Sequence, residues 1–481
     1  MFPSRRAFLC WALLPLLAAC AAPPAAPLSP AIPTAALTAP ARASATPQPS
    51  LPPSPTPWGL PERPQYILNV DIDYDAATLH VHEIAVLPNP GGQPLAEVPL
   101  IVEPRWLDAF ELTALEVNGQ DWADYEFAQG VMTITLPEAW ATDAALHLEL
   151  TYLLRLPATP GTLSATERQL HVANWVAALP AYAAGEGWLI HPPGLVGEHL
   201  VFPPADFDVT LRSDDDSVML MAPGARTDLE GGAQFTLPRA RAFTWSAGRD
   251  FITLVGDADG IPLQVVVYPE HERAGQAALD ALAQAVPLYQ ELFGPYPHEG
   301  LMLVEASFTD GLESDAFFFL DQLYFIEYDG TPTNYLTTIA VHEAAHQWWY
   351  SAVGNNAALE PWLDEALCTF SELLFYENVH PSLVEWWWYF RIERFRLEGA
   401  VNSAIYDQAD FLPYVKAVYF LGAHFLDDVR ELIGEPNLLA ALRDYRQRYD
   451  GDIASAEEFF AVLEEHSPVN LDNLRAYYFK P

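Results

Sequence analysis

Lysine is nearly missing from this chain. Among 481 residues only Lys416 and Lys480 occur, and 23 Lys+Arg stand against 64 Asp+Glu, for a formal net charge of −41. No clustered positive charge is available to meet nucleic-acid phosphates, so a nucleic-acid partner is excluded. The same acidic surface resists anionic lipid headgroups, and membrane attachment must come from something other than charge. Cysteine is equally scarce. Cys10 and Cys20 lie at the N-terminus and leave Cys368 alone in the body, so no disulfide framework can form. What is abundant is apolar. With 51% hydrophobic and 12% aromatic residues the chain is not largely disordered, and its length suggests two or three domains.

The first 20 residues, MFPSRRAFLCWALLPLLAAC, place Arg5 and Arg6 before an apolar stretch over 7–19. That stretch is too short to span a bilayer, which needs about 20 apolar residues, and reads as a signal segment. Leu17-Ala18-Ala19-Cys20 resembles a bacterial lipobox, which makes Cys20 the expected lipidation site and new N-terminus. Ser4-Arg5-Arg6-Ala7-Phe8-Leu9 also resembles a twin-arginine export signal, although paired arginines are common in any signal segment. Residues 21–64 hold 14 Pro and 11 Ala in 44 positions, the composition of a stiff, extended tether. The expected location is extracytoplasmic, anchored by lipid to a bacterial membrane.

Residues 65–255 show short alternating runs such as Leu146-His147-Leu148-Glu149-Leu150, which predict an antiparallel β-domain. Asp214-Asp215-Asp216 reads as an exposed turn, because three consecutive acids cannot easily converge on one ion. From 256 to 481 the texture changes. Strands are expected at 263–268, 301–305 and 316–328, an amphipathic helix at 272–293, and mainly helix from about 333.

The chemistry concentrates at His342-Glu343-Ala344-Ala345-His346. Helical spacing puts His342 and His346 on one face, where two imidazole nitrogens can hold one zinc ion. Glu343 is badly placed as a third ligand but well placed to accept a proton from a nearby water. Such polar groups in an apolar run cost several kcal/mol to bury without partners. A second helix is expected from Pro361, and Glu360, Asp364, Glu365 and Glu372 are all available as a third ligand. Glu365, Cys368 and Glu372 share one face of it.

These segments resemble the aminopeptidase N family of gluzincin metallopeptidases. Glu365 follows His346 after 18 intervening residues, the gluzincin spacing. His346-Gln347-Trp348-Trp349 resembles the family's H-x-W-F, Trp362-Leu363-Asp364-Glu365-Ala366 its W-L-N-E-G, and Leu292-Phe293-Gly294-Pro295-Tyr296-Pro297 its F-G-x-Y-P turn. The resemblance implies an α+β multidomain fold, with a saddle-like antiparallel β-domain followed by a thermolysin-like, mainly helical catalytic domain. It implies one zinc on His342, His346 and Glu365, with Glu372 orienting a histidine. The family's large C-terminal helical-repeat domain is expected to be missing, since the chain ends about 115 residues after Glu365.

Two further motifs carry over. Gly311-Leu312-Glu313-Ser314 resembles the exopeptidase motif G-x-M-E-N, with Leu for Met, Ser for Asn and one residue fewer between Gly and Glu. Gly311 and Glu313 are therefore expected at the substrate, Glu313 holding its α-ammonium. Tyr414-Val415-Lys416-Ala417 resembles the Y-x-K-G stretch whose tyrosine donates to the oxyanion, with Tyr406 and Tyr419 as competitors. The function expected is a zinc aminopeptidase acting on peptides through Glu343 as general base. The alternatives are an endopeptidase or other hydrolase of the same fold, or a catalytically silent surface lipoprotein.

Overall fold

Alternation builds the first half of the chain. The computed structural model describes residues 59–308 and 310–480; Cys20, the signal segment and residues 21–58 of the expected tether lie outside the described residues. Strand Gln65–Asp73 buries Tyr66, Leu68, Val70 and Ile72 and turns the residues between them outward. It sits inside an eight-stranded sheet, between Thr78–Pro88 and Ala205–Ser213. The Thr78–Pro88 side is antiparallel, Leu68 facing Glu83. The other side is parallel, Tyr66 facing Phe207, the one parallel pairing described in an otherwise antiparallel sheet. Alternation is the same for both directions, and only the long crossover between Pro88 and Ala205 decides it. A three-stranded and a four-stranded sheet lie within or beside that crossover and share the core around Trp175 and Trp245. Asp215 sits in the expected turn, where its carboxylate accepts from the Ser217 N–H and pairs with Arg249.

The expected boundary at 255/256 cuts a strand. Ile252–Ala258 pairs with Ile261–Val267 across Asp259 and Gly260, whose φ values of 52° and 89° suit a two-residue hairpin turn. Both strands pair within the same five-stranded sheet. Their five-stranded sheet continues through Leu301–Ala306 and Phe317–Asp321 to an edge strand, Gly311–Ser314. Phe317–Asp321 is buried along its whole length because both faces of the sheet are covered. Helix Glu272–Phe293 packs on one face through Ala278, Leu282 and Ala285, while Ala173 and Met221 of the first half close the other. The long strand expected over 316–328 stops at Asp321. Its carboxylate accepts from the Leu323 N–H and starts the short helix Gln322–Ile326.

Helices supply the rest. Asn334 caps Tyr335–Ala345 by accepting from the Thr337 N–H, and that helix packs against Trp362–Val379. Among the described residues no helix is long and apolar enough to cross a membrane. Arg241, buried where the two halves meet, donates to the carbonyls of Tyr350, Phe202 and Asp452 at 2.7, 3.0 and 2.8 Å. The carboxylate of Asp315 accepts from the backbone N–H groups of Arg241 and Ala242 at the same junction.

Candidate active site

The Tyr335–Ala345 helix is buried from Leu336 onward, so His342 and Glu343 enter an environment where every polar atom needs a partner. His346 follows directly, still with helical backbone (φ −58°, ψ −17°), which preserves the i, i+4 relation to His342. Glu365 comes from the first turn of Trp362–Val379, with Pro361 just before the helix rather than inside it. Its Oε2 lies 3.2 Å from His342 Nε2 and 3.8 Å from His346 Nε2. The expected third ligand therefore faces both rings.

The other ring nitrogens are already committed. His342 Nδ1 stands 2.7 Å from Glu372 Oε1, and His346 Nδ1 stands 2.6 Å from Asp364 Oδ1. Carboxylates accept, so both Nδ1 atoms donate, and both Nε2 atoms face one point, where a metal ion would take the place of a ring proton. One donor atom from each of His342, His346 and Glu365 falls within 4.8 Å of the others. Burial opposes charge on His342, yet Glu365 and Glu372 pull it up to about 9. The carboxylates around the two rings thus favour positive charge at this point, which a metal ion can supply in place of ring protons. Two imidazoles and one carboxylate suit zinc, with a position left open.

The two supporting carboxylates differ. Burial opposes the charge on Glu372, but Arg391 and His342 hold its carboxyl below the usual range. Arg391 donates through Nε and Nη2, and Trp387 through its indole N–H at 3.0 Å. Asp364 lacks such a cation, and burial pushes it up to about 7 despite the nearby His346. Cys368 is a buried free thiol, 3.8 Å from Asp364 Oδ1.

Glu343 is buried, and its Oε2 has no hydrogen-bond partner among the described residues. The edge strand Gly311–Ser314 runs beside it, with Leu312 in the core below the sheet and Gly311 and Glu313 on the opposite face. A Cβ at Gly311 would lie 2.1 Å from Glu343 Oε1, so the glycine is what admits this carboxylate. Glu313 approaches Glu343 and His346, and its Oε1 is buried without a partner among the described residues. Glu313 thus stands on a sheet edge.

Opposite stands a residue that sequence reasoning missed. Glu198 shares a hydrogen bond with Glu313, and burial, with Glu313 beside it, pushes its carboxyl well up. It lies in an irregular stretch with no motif to flag it. Asp364 could have been found, because it stands where the resembled motif has Asn. Arg391 had no signal at all.

The three tyrosines separate cleanly. Tyr406 donates to the Pro192 carbonyl at the surface. Tyr414 is buried, its hydroxyl against Gly197, where a Cβ would meet it at 2.8 Å. Burial raises its pKa well above the ordinary value, and Glu365, Asp364, Glu198 and Glu313 add to that. Tyr419 donates to Glu365 Oε1. Glu198, Glu313, His342, Glu343, Glu365 and Tyr419 line a cleft of about 1150 Å³ that reaches Trp106, Leu107 and Pro157 in the first half. The structure thus gathers His342, Glu343, His346, Glu365, Glu372, Gly311, Glu313 and Tyr414, while Cys20 lies outside the described residues.

Residues 277–478 match the Peptidase family M1 domain. Similar curated proteins include aminopeptidase M1-D of Oryza sativa subsp. japonica, 24% identical over 239 residues, 46% of this chain and 27% of the relative. Aminopeptidase N of Lactobacillus delbrueckii subsp. lactis is 22% identical over 303 residues, 56% of this chain and 35% of the relative. The chain thus spans well under two thirds of these relatives. Among solved structures, an M1 zinc metallopeptidase from Deinococcus radiodurans aligns with a TM-score of 0.62 at 17% identity, over 88% of this chain and 95% of that one. A mutant of it bound to a Tyr-Ser-Ala substrate aligns equally well, with a TM-score of 0.62 at 16% identity over 87% and 94%. The chain therefore has the two-domain fold of the M1 zinc metallopeptidase structures it resembles, and its residues 277–478 match the Peptidase family M1 domain.

Proposed function

We propose that this protein is a zinc-dependent aminopeptidase that removes N-terminal residues from peptides. The observation that carries this reading is the pair Glu313 and Glu198, whose carboxylates meet beside the two histidines and Glu365. A free α-ammonium satisfies the buried, partnerless oxygen of Glu313 and relieves the crowding of two acids. Held there, the substrate brings its first peptide carbonyl toward the histidine Nε2 atoms, and cleavage counts one residue from the end. A zinc ion held by His342, His346 and Glu365 supplies Lewis acidity and makes hydroxide available near neutral pH. Glu343 takes the proton as the water oxygen adds to the carbonyl carbon. It then delivers that proton to the amine nitrogen as the C–N bond breaks. Tyr414 donates a hydrogen bond to the oxyanion.

One observation favours a second reading. The cleft continues past Glu313 to Trp106 and Pro157, which leaves room for chain on both sides of the scissile bond, as an endopeptidase requires. Chelator-controlled assays on aminoacyl fluorogenic peptides, free and N-acetylated, separate the two. Cleavage of free peptides alone, lost on chelation, is the expected result; equal cleavage of blocked peptides gives the lead to the endopeptidase. The lipobox-like Leu17-Ala18-Ala19-Cys20 supports lipid anchoring at Cys20. Cys20→Ala should abolish palmitate labelling and release the protein from membranes, and persistent labelling would rule that site out.

A further inference from the structure

The two oxygens of Glu365 have different partners. Oε2 faces the imidazoles of His342 and His346, at 3.2 and 3.8 Å. Oε1 accepts a hydrogen bond from the Tyr419 hydroxyl at 2.5 Å. The Tyr419 ring also lies parallel to the His342 ring, 5.9 Å between centroids and 5° between planes. A single side chain therefore touches two of the three groups that would hold the ion. The backbone explains its aim. Lys416–Phe420 is a π-helical segment between the α-helical stretches Phe411–Val415 and Leu421–Ile433. Such a bulge shifts the helical register by one residue and is frequent at functional sites. Here it brings both Tyr414 and Tyr419 into the cluster, their rings 5.8 Å apart and nearly perpendicular, at 76°.

We propose that Tyr419 is a positioning residue for the zinc site. It commits Glu365 to binding through Oε2 alone and fixes the plane of the His342 ring, which keeps the remaining space around the ion free for water and substrate. Tyr414 cannot substitute, because its hydroxyl lies against Gly197 instead. The proposal rests on the zinc reading of His342, His346 and Glu365, and its test separates the two.

The experiment measures zinc affinity of the full chain by competition with a chromophoric chelator, for wild type, Tyr419→Phe and Tyr414→Phe, together with the visible spectrum of each cobalt-substituted protein. Phenylalanine preserves the ring and its stacking and removes only the hydroxyl. Lost supporting contacts typically cost about ten- to a hundred-fold in metal affinity. Tyr419→Phe should show a loss of that size and an altered cobalt spectrum, with the melting temperature of the metal-free chain unchanged. Tyr414→Phe should match wild type in both affinity and spectrum. Wild-type affinity and spectrum in Tyr419→Phe overturn the proposal while leaving the zinc site standing. Equal losses in both variants also overturn it, since packing and not the Tyr419 hydroxyl is then responsible. A wild-type chain that takes up no zinc overturns the zinc reading and the proposal together.

Discussion

Gly311 and Glu343 fit each other so closely that one methyl group would separate them: a Cβ on residue 311 would stand 2.1 Å from Glu343 Oε1. The glycine at the edge of the sheet thus sets where the proposed general base can rest. Gly311→Ala should push the carboxylate off its line and lower kcat by about ten- to a thousand-fold, with zinc content unchanged. Glu343→Gln, which cannot accept the proton at all, should lose nearly all turnover with zinc retained. Stopped-flow or steady-state rates beside elemental analysis check both. A Gly311→Ala enzyme with normal kcat would mean that the carboxylate has room to move without consequence.

The metal set and its supports should respond in a graded way. Glu365→Ala removes a facing carboxylate and should lose most bound zinc, measured per chain by elemental analysis. Asp364→Asn should weaken zinc less, about ten- to a hundred-fold, since the amide oxygen still accepts from His346 Nδ1 but carries no charge. Equal zinc in Glu365→Ala and wild type would remove Glu365 from the set.

Glu313 and Glu198 should act on the same atom of the substrate. Charge-assisted hydrogen bonds contribute about 1.5–3 kcal/mol, so Glu313→Ala should lower kcat/KM for free-amine peptides about ten- to a hundred-fold. Glu198→Ala should do so to a similar or smaller degree, and the double variant should lose less than the sum of the two. A Glu313→Ala variant that slows blocked and free peptides alike has lost something other than an amine anchor.

For Tyr414, deletion of one oxyanion donor typically costs about a hundred- to a thousand-fold in rate. Tyr414→Phe should lower kcat by that order while KM changes little. A near-normal kcat would assign oxyanion stabilisation to the metal and backbone alone.

One prediction concerns stability, far from the chemistry. Glu83 is buried in the first half, accepts from the Tyr152 hydroxyl and the Ala177 N–H, and is pushed up to about 8 by burial. Its folded pKa lies above the unfolded value of about 4.5, so the folded state binds the extra proton between these two pH values. Stability from this group is whole below about pH 4.5 and is lost as pH rises toward 8. Glu83→Gln should therefore raise the melting temperature at pH 8 and have little effect near pH 4.5. Thermal melts at the two pH values decide it, and equal shifts at both would show that the carboxyl does not titrate in this range.

Much of this site was legible from local spacing. An i, i+4 pair on a helix is a short-range pattern and pointed to His342 and His346 before any contact was visible, whereas four acids stayed open as the third ligand and the gluzincin resemblance pointed to Glu365. The edge-strand position of Glu313 was harder. Four residues, Gly311–Ser314, are too few for alternation to speak, and the pairing with Phe317–Asp321 is what makes them a strand. Glu198 and Arg391 were illegible for another reason. They reach the site from segments 115 residues before Glu313 and 19 residues after Glu372 in the chain, and only the packed fold juxtaposes them. The parallel pairing of Gln65–Asp73 with Ala205–Ser213 belongs to the same class, since strand direction is a property of the crossover and not of the strand.

The Arg241 junction bears on how substrate gets in. The guanidinium ties the first half, through Phe202, to two distant stretches of the second, at Tyr350 and Asp452, and Asp315 adds a fourth tie through the backbone. Swinging the halves apart would strip a buried cation of its carbonyls, at about 1.5–3 kcal/mol for each bond. Glu198 on one half and Glu313 on the other therefore keep a fixed spacing whether or not a peptide is present. An amine-binding place between these two acids, as proposed above, would then act as a rigid gauge that a peptide enters by threading from the mouth of the cleft.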